Sequence, residues 1–225
     1  RWACAGIGIA VLVVVLAGCS AGPYLVAGAD GPQSGREGLA AAMEALLGPA
    51  PWPAEATAGV PVLDVDALER AIHDRVNEVR AVHGLPLLAW ADPLAPVARA
   101  HSADMAAHAY FDHLDRNGED ATQRAQRRRA ASAGVAENLF LTHRFAAYTT
   151  HPGADGATVF RFEWKTPGEI AEQTVAAWLQ SPTHRENLLY PRYTAESIGV
   201  AHGLNATVFV TQNLISDPAG RLASR

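Results

Sequence analysis

Both cysteines of this 225-residue chain, Cys4 and Cys19, lie near its start, and none follows. A domain built from the residues after Cys19 has no internal disulfide to draw on, so its own apolar core must hold it together. The composition allows this: 49% of residues are hydrophobic and 18% charged, a globular balance. The length suits one domain of ordinary size with flanking segments. The formal net charge of -5 argues against nucleic acid as a partner, because such a surface needs clustered excess positive charge.

The first residues read as an export signal. Arg1 precedes an apolar run from Ala5 to Leu16, a positive start followed by a short hydrophobic stretch. The run is shorter than the roughly 20 apolar residues of a membrane span. It ends in Leu16-Ala17-Gly18-Cys19, which resembles the lipobox at which a prokaryotic lipoprotein is cut and its cysteine lipidated. On this reading residues 1–19 are a signal peptide, Cys19 is the lipidation site, and the protein is extracytoplasmic, held in the cell envelope by its lipid anchor. A plain signal peptide cut nearby, or an uncleaved anchor, stays open as an alternative, and the chain is expected to extend upstream of Arg1. Residues 20–61 are rich in Gly, Ala and Pro, as in Gly48-Pro49-Ala50-Pro51-Trp52-Pro53. They are expected to form a flexible tether that includes a short helix over 37–47. Residues 62–217 are expected to form the domain, and 218–225 a C-terminal tail.

Periodicity organises the domain. Val65, Leu68, Ile72, Val76 and Val79 recur at helical spacing, with Asp64 or Asp66 to cap the start and Gly84 to end it. A second helix is expected from Asp92-Pro93 to about His108, with Pro93 in its first position. Its buried stripe would be Leu94, Val97, Ala98, His101 and Met105. An arginine-rich third helix fits 121–130. Residues 135–141 read as a strand. Residues 158–165 alternate as a half-exposed strand, expected to pair in a hairpin with 145–150. Pro167 opens a helix with Ile170, Thr174, Val175, Trp178 and Leu179 on its apolar face. Ser181 and Pro182 then restart the chain as a short helix capped by the serine. Strands over 197–201 and 206–214, joined through Gly203, close the domain. This order predicts an α+β sandwich in which helices cover a mainly antiparallel sheet.

Several segments together resemble the CAP superfamily, that of cysteine-rich secretory proteins, antigen 5 and pathogenesis-related proteins, also called SCP domains. They are His101-Ser102-Ala103-Asp104-Met105 with Tyr110-Phe111-Asp112-His113, then Ala136-Glu137-Asn138-Leu139. Next comes Trp178-Leu179-Gln180-Ser181-Pro182-Thr183-His184-Arg185-Glu186-Asn187-Leu188-Leu189. Ile198-Gly199-Val200-Ala201 and Val210-Thr211-Gln212-Asn213-Leu214 complete the series. The resemblance runs over about residues 64–216 and is closest to bacterial members. It implies a three-layer α-β-α sandwich with a cleft that holds two histidines and two acids and takes a divalent metal in many members. His113, Glu137 and His184 match three of those four positions. The fourth, an acid in animal and plant members, is Ser181 here, which cannot serve as an anionic ligand or base.

The resemblance makes His113, Glu137 and His184 a candidate site for zinc or another divalent metal, with Asn138, Ser181 and Gln212 as cleft support. Two imidazoles and a carboxylate are a suitable donor set. The same side chains also suit a purely structural polar network. His101 and His108, seven residues apart, read as core or cleft-lining. Arg124, Arg127, Arg128 and Arg129 read as a solvated helix face, with anionic lipid headgroups as the less favoured partner. Two functions follow from the resemblance. One is an extracytoplasmic binding module for a lipid, glycan or protein ligand. The other is a metal- or acid/base-assisted, peptidase-like hydrolase with Glu137 as base.

Overall fold

Asp64 begins the described domain as the sequence predicts. Its Oδ1 accepts from the Ala67 amide at 2.8 Å, and helix α1 (Val65–Val82) follows. The helix stops at His83, and Gly84 turns the chain with φ 68°. The structure is a computed structural model that describes residues 24–27 and 59–216. After α1 come β2 (Ala89–Trp90), α2 (Ala95–His108), α3 (Ala121–Arg127), β3 (Ala136–His143), β4 (Phe145–Pro152) and β5 (Thr158–Trp164). Helices α4 (Pro167–Gln180) and α5 (Pro182–Leu188) precede β6 (Ala195–His202), a short 3-10 turn (Leu204–Ala206) and β7 (Thr207–Ile215).

Some boundaries differ from expectation for local reasons. Helix α2 does not begin at Pro93: the amides of Leu94 and Ala95 both return to the Ala91 carbonyl, so a turn precedes the helix. Pro96 then occupies the first helical turn. Helix α3 ends before Ala130 because Arg129 takes φ 56° and the Ala130 amide bonds back to Ala125 O at 2.8 Å. Ser181 stands at the N-cap of α5, but its side chain makes no capping bond.

The main sheet has the order β1-β3-β7-β6-β2, where β1 is Tyr24–Ala27. Pairings β1–β3, β3–β7 and β6–β7 are antiparallel, while β2 runs parallel to β6, so the sheet is mixed. β1 falls within the stretch read as tether, with Tyr24 opposite Thr142 and Ala27 opposite Leu139. The helix expected over 37–47, the lipobox, and the tail beyond residue 216 lie outside the described residues. Strands β4 and β5 form a separate two-stranded hairpin.

Helices lie on both faces of the sheet, giving the expected three-layer α-β-α sandwich. On one face Leu68, Ile72 and Val76 of α1 and Ile170, Val175 and Trp178 of α4 pack on Phe140, Ile198, Val200, Val208 and Val210. On the other, Leu94, Val97 and Ala125 pack with Ala195 and Ile215. Side chains alternate along each strand, so adjacent residues serve opposite faces.

The α2 layer comes unusually close to the sheet at Gly199. A Cβ there would meet Arg99 N at 2.1 Å and the Ala98 carbonyl carbon at 2.2 Å. Ser102 fastens the contact by donating to Gly199 O and bonding Thr211 Oγ1, both at 2.8 Å. Trp178, fully buried in the opposite layer, donates Nε1–H to Leu139 O at 3.1 Å. Trp178→Ala is therefore expected to cost about 3–5 kcal/mol, the range for a large aromatic removed from a core. Gly199→Ala should destabilise too, because backbone cannot give way as a flexible side chain does. Denaturant unfolding of both variants checks this.

Candidate functional site

Glu137 is the second residue of β3, and its carboxylate lies on the α2 and α3 side of the sheet. Its Oε1 accepts from His113 Nδ1 at 2.9 Å. His101 Nε2, from α2, lies 3.9 Å from the same oxygen and makes its hydrogen bond to Asp112 O at 2.9 Å. The second oxygen, Oε2, accepts from Arg124 Nη2 of α3 at 2.5 Å. Arg124 Nη1 also donates to His113 O at 2.8 Å and Glu119 O at 2.7 Å. One buried guanidinium thus holds both the carboxylate and the backbone of its histidine partner.

Burial alone would raise the Glu137 pKa. His101, His113 and Arg124 outweigh it and hold the group down at about 2. Arg124 carries the permanent charge of the three, because burial lowers the pKa of His101 and favours its neutral form. An anionic Glu137 can only accept, so His113 Nδ1 carries the proton of this bond.

The neighbouring residue, Asn138, points to the other face. Its Nδ2 donates to Gln212 Oε1 at 2.7 Å and to His184 O at 3.2 Å. Asn187 of α5 donates to Asn138 Oδ1 at 2.9 Å and to Glu137 O at 3.4 Å. From Gln212 the network continues through Glu196 Oε2 at 2.5 Å, and Glu196 Oε1 meets His73 Nδ1 of α1 at 2.7 Å. Asn138 and Gln212 therefore help dock α5 and α1 against the sheet. The ring of His184 is turned to Ser181, with Nδ1 2.6 Å from Ser181 Oγ. That contact explains the missing helix cap. The hydroxyl that stands where animal and plant members carry an acid orients this imidazole instead.

The structure thus joins His113 to Glu137 directly and ties His184 to the same strand through its backbone carbonyl. Two residues at Glu137 were not foreseen as its partners. His101 was assigned to the core or cleft lining, without its link to the carboxylate. Arg124 was read with its neighbours as solvated, and this is corrected: Arg127, Arg128 and Arg129 are exposed, but Arg124 is buried. The usable signal was helical phase, since Arg124 shares a stripe with Ala121 and Ala125, three residues back and one on.

Both oxygens of Glu137 are engaged, one by Arg124 and one by His113, so the carboxylate is placed to orient an imidazole. Among the described residues no three His, Cys, Asp or Glu side chains are grouped to hold a metal ion. His113, Glu137 and His184 are thus not grouped as three direct ligands of one ion. A carboxyl with a pKa near 2 is also far from the value a general base needs at neutral pH.

The ion pair makes a pH prediction. A carboxyl held below its ordinary 4.5 contributes stability that is full above 4.5 and lost as pH falls toward 2. Arg124→Gln leaves a buried carboxylate without its cation and should cost about 3–5 kcal/mol at neutral pH. The gap from wild type should narrow as pH falls from 4.5 toward 2, because protonated Glu137 needs no cation. Urea unfolding across pH measures both.

Known proteins share this arrangement of elements. The sequence profile of the cysteine-rich secretory protein family, CAP, matches residues 73–214. An uncharacterized membrane protein of Bacillus subtilis, YlbC, is 29% identical over 147 residues, covering 65% of this chain and 34% of that protein. A second uncharacterized B. subtilis protein, YkwD, is 30% identical over 148 residues, covering 66% of this chain and 47% of its own length. The matched stretch thus spans about a third to a half of these relatives. Among solved structures, an extracellular protein containing an SCP domain from Bacillus anthracis superposes with a TM-score of 0.50 at 27% identity. The match covers 70% of this chain and 45% of that one. An outer surface protein of Borrelia burgdorferi shares the fold at 17% identity, with a TM-score of 0.51 over 69% of this chain and 97% of its own. Sequence profile, three-layer architecture and solved relatives agree: the chain belongs to the CAP family of cysteine-rich secretory proteins.

Proposed function

We propose that this protein is an extracytoplasmic, lipid-anchored CAP domain that acts as a binding module for a lipid, glycan or protein ligand. The observation that carries the reading is the Arg124–Glu137–His113 cluster. Its carboxylate is neutralised by a guanidinium, which suits a structural ion pair rather than a base or a metal ligand. The described domain contains no cysteine, and Ser181 stands in place of the second acid. The extracellular description of the B. anthracis protein and the membrane description of the B. subtilis relative support the location.

The anchor would act at short range. Cys19 stands only five positions before Tyr24, which pairs with Thr142 in the sheet. Five residues reach about 18 Å at full extension, so an acyl chain on Cys19 would hold the domain close to the bilayer. Replacing Cys19 by serine is expected to move the protein from the membrane fraction to the soluble one or leave it unprocessed. Mass spectrometry of the mature N-terminus should find acylated Cys19; an unmodified terminus at Ser20 or later overturns the anchor. A broad hydrolase screen tests the binding role, and turnover that Glu137→Gln abolishes would overturn it.

A further inference from the structure

An open cavity of about 410 Å³ lies away from the Glu137 cluster and shares no residue with it. That volume falls in the range of small-molecule sites, roughly 300–1,000 Å³. Val62, Leu63, Arg144, His202, Leu204 and Ala206 are among its lining residues, and none of the lining residues is acidic. Val62 and Leu204 are 97% and 80% exposed, so two large apolar side chains stand in water beside it.

Arg144 is the unusual member. The residue is only 3% exposed, and its burial lowers the guanidinium pKa. It makes no ion pair with a carboxylate among the described residues, and its Nε has no hydrogen-bond partner there. Its guanidinium bonds the Pro61 carbonyl and lies over the Trp164 ring at 5.9 Å. Buried cations are ordinarily paired, because an uncompensated charge is costly to remove from water. Here the neighbouring titratable lining group is His202, which is cationic or neutral but never an anion.

Part of the cavity wall is the tight turn that joins β6 to β7, closed by the Thr207 amide on Leu204 O. Asn205 and Ala206 are consecutive non-glycine residues with φ 54° and 57°, in the left-handed region. Positive φ at both central residues is the geometry of a tight turn between antiparallel strands, and it fixes the shape of this wall. Ala206 O accepts from the Arg144 amide at 2.8 Å, so this turn and the cation are held beside one another.

The geometry points to a binding site for a small amphipathic anion, whose oxyanion head pairs with Arg144 and whose hydrocarbon body lies against Leu63, Val62 and Leu204. The head supplies the charge that the lining lacks, and the body covers the exposed apolar side chains. The site rests on the proposed binding role and narrows its ligand to an amphipathic anion, while sharing no residue with the Glu137 cluster.

Calorimetry on the full chain with decanoate, decanol and inorganic phosphate tests this. Decanoate should bind at least about tenfold tighter than decanol, because only the anion meets the guanidinium, and tighter than phosphate, which has no apolar body. Leu204→Asp, at a side chain the fold does not need, should weaken decanoate about tenfold. Arg144→Gln should erase the preference for decanoate over decanol. Equal affinity for the two, wild-type affinity in Leu204→Asp, or no decanoate binding by the folded chain overturns the proposal. The first and second of these readings decide it even where Arg144→Gln fails to fold. Co-sedimentation with phosphatidylglycerol vesicles that Leu204→Asp abolishes assigns the anion to a membrane lipid. Decanoate binding without vesicle binding assigns it to a free amphiphile.

Discussion

Much of this structure depends on how closely helix α2 lies against strand β6. Gly199 is the point of contact, where helix backbone occupies the space that a side chain would otherwise fill. Ser102 bonds both Gly199 and Thr211, so the same helix turn is locked to two strands. One residue before Ser102, His101 is thereby delivered over the start of β3, next to Glu137. A helix held further out would leave His101 short of the carboxylate and loosen the Asp112–His113 turn that its ring supports.

The cluster around Glu137 draws on three elements and one turn, with Arg124 as its centre. A guanidinium offers several donors in one plane and stays charged at any working pH, which suits it to join a carboxylate and two carbonyls. A lysine would bring the charge without that fan of donors. The consequence is chemical as well as structural. The pair holds Glu137 as an anion and fixes a proton of His113 on Nδ1.

With no cysteine in the described domain, other buried cations take up part of the cross-linking. Arg80 of α1 donates to the carbonyls of Pro86, Leu188, Tyr190 and Tyr193, tying the end of α1 to the segment after α5. Lys165 donates to Thr142 Oγ1, His143 O and Gln173 Oε1, joining β3, α4 and the foot of the hairpin. Burial lowers the Lys165 pKa to about 8, which shows what that placement costs. Hydrogen bonds from charged donors contribute about 1.5–3 kcal/mol each, enough in sum to replace a disulfide.

Helices α1 and α4, the hairpin and the closing strands were legible in the sequence, because apolar spacing and capping residues are local signals. Asp64, Pro167 and the alternation over 158–165 act within a few residues of themselves, and the motifs that mark the family are read in chain order. Other features depend on residues far apart in the chain. The sequence shows Arg124 as one of several arginines; only the packing of α3 on β3 decides that it is buried on Glu137 while Arg127 to Arg129 stay in water. Ser181 reads as a helix cap, and the fold turns it to His184 because the ring competes for the same hydroxyl. The pairing of Tyr24 with Thr142 joins positions more than a hundred residues apart, across a stretch whose composition reads as linker. Local chemistry determined which elements form, and long-range packing decided which charges meet, since ion pairing depends on distances that no local pattern encodes.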